Sequence, residues 1–199
     1  MILTVARLIP KKQSHVLLEA YRRVRERTAC SLLFVGAGEM EAELRRTVGK
    51  QGIPDVVFAG FMNQSEITKA YAAADIFALP SGYDETWGLA VNEAMSCGLP
   101  VVVSDKVGCA PDLVKDGENG FVVRSGDARA LESRLQMLVD SQATRERFGA
   151  DSLNHIATWT YDVAADGLVQ AVAQAVGPER WTAACANQPK EDLGRLEPA

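Results

Sequence analysis

The chain has 199 residues, of which 47% are hydrophobic and 24% charged, and this balance is typical of a globular protein with one core of ordinary size. The formal net charge of -5 gives no electrostatic basis for binding nucleic acid, which requires a basic surface. No apolar run approaches the length of a membrane span, and the start "MILTVARLIPKK" lacks the pattern of a secretory signal.

Six short apolar or β-branched segments predict strands, at residues 2–6, 31–36, 56–59, 75–79, 100–104 and 120–123. Continuous runs of this kind are typical of strands that are buried on both faces of a parallel sheet. Because helical patterns alternate with these strands, we predict an α/β fold: a doubly wound, Rossmann-like parallel sheet with helices on both faces. In such a sheet, ligands bind outside the carboxyl ends of the strands.

Apolar residues at helical spacing predict the intervening helices, with Ser14, Asn63 and Asp127 as N-caps of three of them. Helices without a predicted cap cover residues 39–50, 143–156 and 161–176. There is no internal repeat, and the sequence turns polar and irregular after Gly177. We therefore predict one domain over residues 1–177 and a flexible tail over residues 178–199.

The segment "ETWGLAVNEAMSCGLP", residues 85–100, predicts a short helix that begins at Gly88 and Leu89. Glycine allows a ligand to approach the backbone, and the unpaired amides of a helix start favour phosphate. Glu85 before the helix and Glu93 within it would place carboxylate acceptors for sugar hydroxyls on either side of that phosphate. This arrangement suits a nucleotide-sugar, although spacing alone leaves open that Glu85 caps or solvates the loop and Glu93 faces water.

The segment "ARLIPKK" places cations directly after the first strand, where an anionic ligand would lie. The fork of Arg7 and the point charges of Lys11 and Lys12 suit a diphosphate. A solvated basic loop is the alternative interpretation.

The segment "VGAGEMEAEL" has glycines at positions 36 and 38 of a predicted strand-to-helix turn. A dinucleotide-binding fingerprint requires a third glycine where this chain has Glu41. A tight turn is therefore favoured over a site for NAD, and a Rossmann-type oxidoreductase is the weakest of the functional alternatives.

The segment "PSGYDETWGLAVNEAMSCGLPVVVSD" closely resembles the signature of the retaining glycosyltransferases of family 4, which have the GT-B fold. "VARLIPKKQSHVLLEAY" resembles the Arg-Leu…Lys-Gly element of that family, with Gln13 in place of the usual glycine. "VVFAGFMNQSEITKAYAAADIFALPS" is similar to its stretch beside the nucleotide base, and "VGCAPDLVKDGENGFVV" to its next loop, with Asp112 where glutamate is more usual. The resemblance covers about residues 2 to 176.

The resemblance implies three catalytic residues. Arg7 and Lys12 would neutralise the donor diphosphate and stabilise the leaving nucleotide. Glu85 would hold the donor hexose through its hydroxyls.

The resemblance also implies five substrate-binding residues. The amides of Gly88 and Leu89 would bind phosphate, and Glu93 would bind the ribose hydroxyls. Phe61 and Met62 would border the base.

The activity implied is transfer of a hexose from a UDP-, GDP- or ADP-sugar to an acceptor, with retention at the anomeric carbon. The chain has no Asp-x-Asp element, so we expect no metal and no cofactor. The chain resembles only the C-terminal, donor-binding half of a GT-B enzyme, without the acceptor-binding half on which the last helix packs in the family. We therefore expect an excised domain, a truncated product or one partner of a split enzyme, inactive alone.

A second alternative is a stand-alone module that binds nucleotide-sugar and transfers nothing. The four cysteines have no zinc-type spacing; they are Cys30, Cys97, Cys109 and Cys185. We expect them to be small core residues of a protein in the reducing cytoplasm. Any peripheral contact with a membrane would be made by the missing half.

Overall fold

The computed structural model describes residues 1–83 and 85–177. The chain divides into two compact units, Met1–Ala157 and Thr158–Ala199. The first unit contains a sheet of six strands in the order β3-β2-β1-β4-β5-β6, and every neighbouring pair is parallel. The strands are β1 Ile2–Val5, β2 Leu32–Val35, β3 Val56–Gly60, β4 Ile76–Leu79, β5 Val101–Ser104 and β6 Gly120–Val123. All six predicted strands and the doubly wound α/β class are therefore confirmed.

The helices alternate with the strands, as predicted. They are α1 Ser14–Arg25, α2 Glu41–Gln51, α3 Gln64–Ala73, α4 Leu89–Ser96, α5 Ala110–Leu113, α6 Ala128–Asp140, α7 Gln142–Ile156 and α8 Tyr161–Val176. A single 3-10 turn, Pro10–Lys12, precedes α1. The short α5 was not predicted, because its four residues are too few to show a helical period.

Two of the three predicted N-caps are confirmed. The side chains of Asn63 and Asp127 each accept two backbone N–H hydrogen bonds at the starts of α3 and α6, at 2.9–3.1 Å. The prediction for Ser14 is wrong, since Ser14 is the first helical residue and Gln13 is the N-cap. Gln13 makes no capping bond because it enters the helix from the 3-10 turn in a left-handed conformation, with φ 50° and ψ 37°.

The core lies on both faces of the sheet, because successive strand residues point to opposite sides. Ile2 belongs to a cluster with residues of α1 and α6, and its neighbour Leu3 to a cluster with residues of α3 and α4. Strands β4 and β5 are buried along their whole length. This double burial explains why their sequences are continuously apolar instead of alternating.

The described part of the second unit contains α8, none of whose residues is buried. The predicted domain boundary at residue 177 falls inside this unit, and the predicted tail over 178–199 lies outside the described residues. The domain boundary therefore stays a prediction. No helix of residues 1–83 and 85–177 is long and apolar enough to cross a membrane.

The cysteines do not all occupy the core. Cys109 is buried and Cys30 is partly buried, whereas Cys97 is exposed at the end of α4, contrary to prediction. Cys185 lies outside the described residues.

Candidate functional site

The predicted site residues lie at the switch point of the sheet. Strands β1 and β4 are neighbours, but β1 is followed along the chain by β2 on one side and β4 by β5 on the other. The two following loops therefore diverge and leave a crevice at the carboxyl edge, where ligands of such sheets bind. The loop after β1 carries Arg7 and Lys12, and the loop after β4 carries Glu85.

An ion pair joins these two loops. The ammonium of Lys12 donates to Oε2 of Glu85, and only 14% and 11% of the two side chains are exposed. The hydroxyl of Ser81, which is fully buried, donates to the same oxygen at 2.9 Å. These two bonds fix the Glu85 carboxylate at the crevice, and the sequence had not identified Ser81 as its partner.

The loop that carries Glu85 is also anchored to the loop after β5. The backbone N–H of Gly108 donates to the carbonyl of Glu85, and that of Cys109 to the carbonyl of Trp87, both at 2.9 Å. The Ser104 hydroxyl at the end of β5 donates to the carbonyl of Ser81. The position of Glu85 is thus set mainly by backbone contacts from the loop after β5.

The helix α4 begins at Leu89 with Gly88 as its N-cap. Gly88 has φ 95°, and a Cβ there would lie 2.8 Å from Cγ1 of Val107, so only glycine fits without displacement. Among the hydrogen bonds of residues 1–83 and 85–177, the N–H groups of Gly88, Leu89 and Ala90 donate none. Since these groups begin a helix, they offer bonds to an anion.

Glu93 lies on the second turn of α4 and is exposed. Its Oε2 accepts a hydrogen bond of 2.5 Å from the hydroxyl of Tyr71 on α3. Tyr71 is buried, and its burial, followed by its bond to Glu93, raises its pKa above the ordinary value. Tyr71 is one of the residues at helical spacing that predict the helix after Asn63, and the one hint of a further role is a hydroxylated ring among the alanines of "KAYAAAD".

Gln13 joins the loop after β1 to the loop after β6. Its Oε1 accepts from the N–H of Gly126 at 2.9 Å and from the hydroxyl of Ser125 at 3.3 Å. The turn that resembles the Lys-Gly element therefore forms with glutamine in the left-handed conformation, held by its side chain.

The remaining predicted side chains differ in their exposure. Arg7 is exposed, and the hydrogen bonds and ion pairs of residues 1–83 and 85–177 include none from its side chain. Phe61 and Leu89 are 79% and 68% exposed, whereas Met62 is partly buried against the core cluster of α3 and α4. Of the eight predicted residues, the structure joins Lys12 and Glu85 by a side-chain bond. Arg7 follows the carboxyl end of β1, Phe61 and Met62 follow that of β3, and Gly88 and Leu89 begin α4 after β4, with Glu93 one turn further along.

The glycines of "VGAGE" have a packing role. A Cβ at Gly36 would overlap the carbonyl oxygen of Ala6, and one at Gly38 would overlap that of Leu8. The N–H of Leu8 donates to the carbonyl of Ala37 at 3.0 Å. The turn therefore packs closely on the segment that carries Arg7, which agrees with the tight-turn interpretation.

A cleft of about 510 Å³ lies elsewhere, between α1 and α6, and none of the predicted site residues lines it. Of its two acidic residues, Glu132 pairs with Arg27 at 2.9 Å and Arg23 at 3.9 Å, and Asp140 accepts hydrogen bonds from Thr28 and Gln136. Within residues 1–83 and 85–177, no three His, Cys, Asp or Glu side chains group to hold a metal ion, and metal independence stays a prediction.

A doubly wound parallel sheet with cations, carboxylates and a helix start at its switch point defines a nucleotide-binding class of α/β domain. Comparison with protein families then identifies the particular one. The family model described as "Glycosyl transferases group 1" matches residues 1–154, and the chain belongs to this family.

The chain is similar to several glycosyltransferases and spans about a third of the length of the curated relative AmsK. The amylovoran biosynthesis glycosyltransferase AmsK of Erwinia amylovora is 38% identical over 149 residues, which are 71% of this chain and 36% of AmsK. The C-terminal domain of the Francisella tularensis glycosyl transferase LpcC superimposes with a TM-score of 0.72 at 22% identity, covering 79% of this chain and 84% of that one. Anabaena HepE, solved in complex with UDP, gives 0.73 at 26% identity, covering 88% and 48%. The fold is thus that of the C-terminal domain of GT-B glycosyltransferases.

Proposed function

We propose that this chain is the donor domain of a retaining hexosyltransferase and binds a nucleotide-diphosphate sugar in the crevice between the loops after β1 and β4. The observation that carries this proposal is the Lys12–Glu85 ion pair beside the start of α4 at the switch point. The UDP complex of HepE and the family membership support it. The family-4 subtype and the retaining mechanism remain part of the proposal.

The charges at the crevice suit a diphosphate. Glu85 offsets the charge of Lys12, so Arg7 and the amides at the start of α4 supply the net attraction for the anion. The ammonium of Lys12 has three N–H groups, so it can bond Glu85 and a phosphate oxygen together. Lys12 and Arg7 would then stabilise the charge that develops on the departing nucleotide.

The carboxylates flank that phosphate position along the chain, on either side of Gly88. Glu85 would accept hydrogen bonds from hydroxyls of the hexose, and Glu93 from the vicinal hydroxyls of the ribose. Phe61 and Met62, which follow β3, would border the base. Their exposed apolar surface is the kind that a planar base covers.

Calorimetric titration without metal tests the proposal, with UDP, GDP and ADP and their glucose and mannose conjugates as ligands. We expect one nucleotide series to bind, and Arg7→Ala and Glu93→Ala to weaken its binding about tenfold or more, because each removes a charge-assisted hydrogen bond. Arg46→Ala is the matched control, since Arg46 is an exposed arginine on α2. Binding to both site variants as tight as to the wild type would show that the site assignment is wrong.

Two alternatives concern the activity of the chain alone. It spans about a third of the length of AmsK, and the whole enzyme's activity is therefore a proposal for this chain. Either the chain acts with a separate acceptor-binding partner, or it is a non-catalytic nucleotide-sugar module. We expect no transfer by the isolated chain; glycosyl transfer without a partner would exclude the non-catalytic module.

The oxidoreductase alternative has little support, because Gly36 and Gly38 pack on Ala6 and Leu8. Quenching of NADH fluorescence, with no response to UDP or GDP, would revive it.

The spacing of the cysteines supports a cytoplasmic location, which is also part of the proposal.

A further inference from the structure

The hydroxyl of Tyr71 has a defined acceptor in the predicted ribose site. Tyr71 lies on α3, is 2% exposed, and packs its ring at 6.0 Å from that of Phe77 on β4. The acceptor of its hydroxyl is Oε2 of Glu93. A buried hydroxyl is costly to leave unpaired, so this bond restrains both side chains.

The carboxylate of Glu93 is held at one oxygen only. Glu93 belongs to an exposed position of α4, and among the hydrogen bonds of residues 1–83 and 85–177 its Oε1 accepts none. A glutamate at an exposed helix position ordinarily samples several rotamers, and fixing it costs conformational entropy. The bond from a rigid, buried phenol supplies that restraint before any ligand arrives.

The phenol remains a hydrogen-bond donor under all ordinary conditions. Burial and the neighbouring carboxylate raise the pKa of Tyr71, so its hydroxyl keeps its proton through neutral and mildly alkaline pH. The Glu93 carboxylate therefore always has one oxygen engaged and one available.

We propose that Tyr71 is a positioning residue that orients Glu93 toward the vicinal hydroxyls of a ribose, and that it thereby sets a preference for ribonucleotides over deoxyribonucleotides. This inference rests on the proposed function, because it assumes that Glu93 faces the ribose. Tyr71 itself does not contact the ligand; it acts from the core through its hydrogen bond to Glu93.

The test is calorimetric titration of the full chain with UDP, GDP and ADP and with the 2′,3′-dideoxy form of whichever binds. For the wild type we expect the ribonucleotide to bind at least tenfold more tightly than its dideoxy form. Tyr71→Phe removes only the hydroxyl, and we expect it to weaken ribonucleotide binding by about five- to tenfold while leaving the dideoxy form unchanged.

Tyr21→Phe is the matched control. Tyr21 is also fully buried, but its hydroxyl donates to the backbone carbonyls of Cys30 and Pro54 at 3.0 and 2.9 Å. A purely structural effect of losing a buried tyrosine hydroxyl would appear in both variants, as lower stability. We expect only Tyr71→Phe to change the ratio between the two nucleotide forms.

Several results would overturn the proposal. Equal weakening of both nucleotide forms by Tyr71→Phe, or no change in either, would show that Tyr71 does not act through the diol. Glu93→Ala removes the carboxylate and also the acceptor of the Tyr71 hydroxyl, whereas Glu93→Gln keeps an acceptor oxygen for it. Glu93→Ala keeps the test open if Tyr71→Phe does not fold: a diol preference that survives this substitution overturns the proposal. Absence of all nucleotide binding by the wild type would overturn the proposed function itself, and with it this inference.

Discussion

Gln13 holds a backbone conformation that L-residues with a Cβ rarely adopt. A left-handed residue costs about 1–2 kcal/mol, and the bonds of Gln13 to Ser125 and Gly126 offset part of this cost. Both Gln13→Gly and Gln13→Ala lose those bonds, but only the glycine variant relieves the strain. We therefore expect the alanine variant to be less stable than the glycine variant by about 1 kcal/mol in urea unfolding. Equal stability of the two variants would mean that the turn relaxes without strain.

Cys109 gives the protein a dependence on alkaline pH. Burial raises the pKa of its thiol from 9.0 to about 12. Above about pH 9 the unfolded thiol loses its proton while the folded one keeps it, so stability is full at lower pH and falls as pH rises toward 12. When the pH is raised from about 7.5 to about 9.5, we expect the free energy of unfolding to fall by about 0.8 kcal/mol more for the wild type than for Cys109→Ala. Urea unfolding at both pH values measures this; equal losses would contradict it.

At the scale of elements, the turn from β4 into α4 depends on Gly88. In Gly88→Ala the residue would keep a φ of 95°, and its Cβ would lie 2.8 Å from Cγ1 of Val107. We expect this substitution to lower the free energy of unfolding by about 2 kcal/mol. The displaced turn should also weaken nucleotide binding, because the amides of α4 would move. Gly49→Ala is the control: Gly49 lies inside α2 with nothing within 4 Å of its Cβ position, so we expect stabilisation by about 0.5–1 kcal/mol. Equal effects of the two substitutions would contradict the steric argument.

Elements and their edges could be predicted from the sequence, whereas contacts between elements could not. Parallel strands bring their carboxyl ends to one edge, so Lys12 and Glu85 were expected there from their places after β1 and β4. The Tyr71–Glu93 bond joins two helices separated by a strand, and no local pattern encodes such a pairing. Ser14 looked like an N-cap because serine favours that position, but the left-handed Gln13 takes it.

At the scale of the whole molecule, the net charge of -5 opposes the approach of any nucleotide diphosphate. Attraction must therefore come from the amides at the start of α4 and from the few cations at the crevice, of which Arg7 has no ion-pair partner within residues 1–83 and 85–177. Electrostatic attraction of the nucleotide is therefore local to the crevice. In other proteins the field of the whole molecule steers an anionic ligand to its site.

The first unit, Met1–Ala157, contains the whole sheet, both core clusters and every predicted site residue. We therefore expect a chain of residues 1–157 to fold and to bind the same nucleotide as the full chain. A ligand at 100 times its Kd stabilises the folded state by about 2.7 kcal/mol, and we expect this increment in both chains. Thermal unfolding with and without nucleotide measures it, with Arg7→Ala in each chain as the control that should reduce the increment. If the shorter chain folds but shows no increment, the donor site requires residues beyond 157, and the domain extends toward 177 as the sequence predicted.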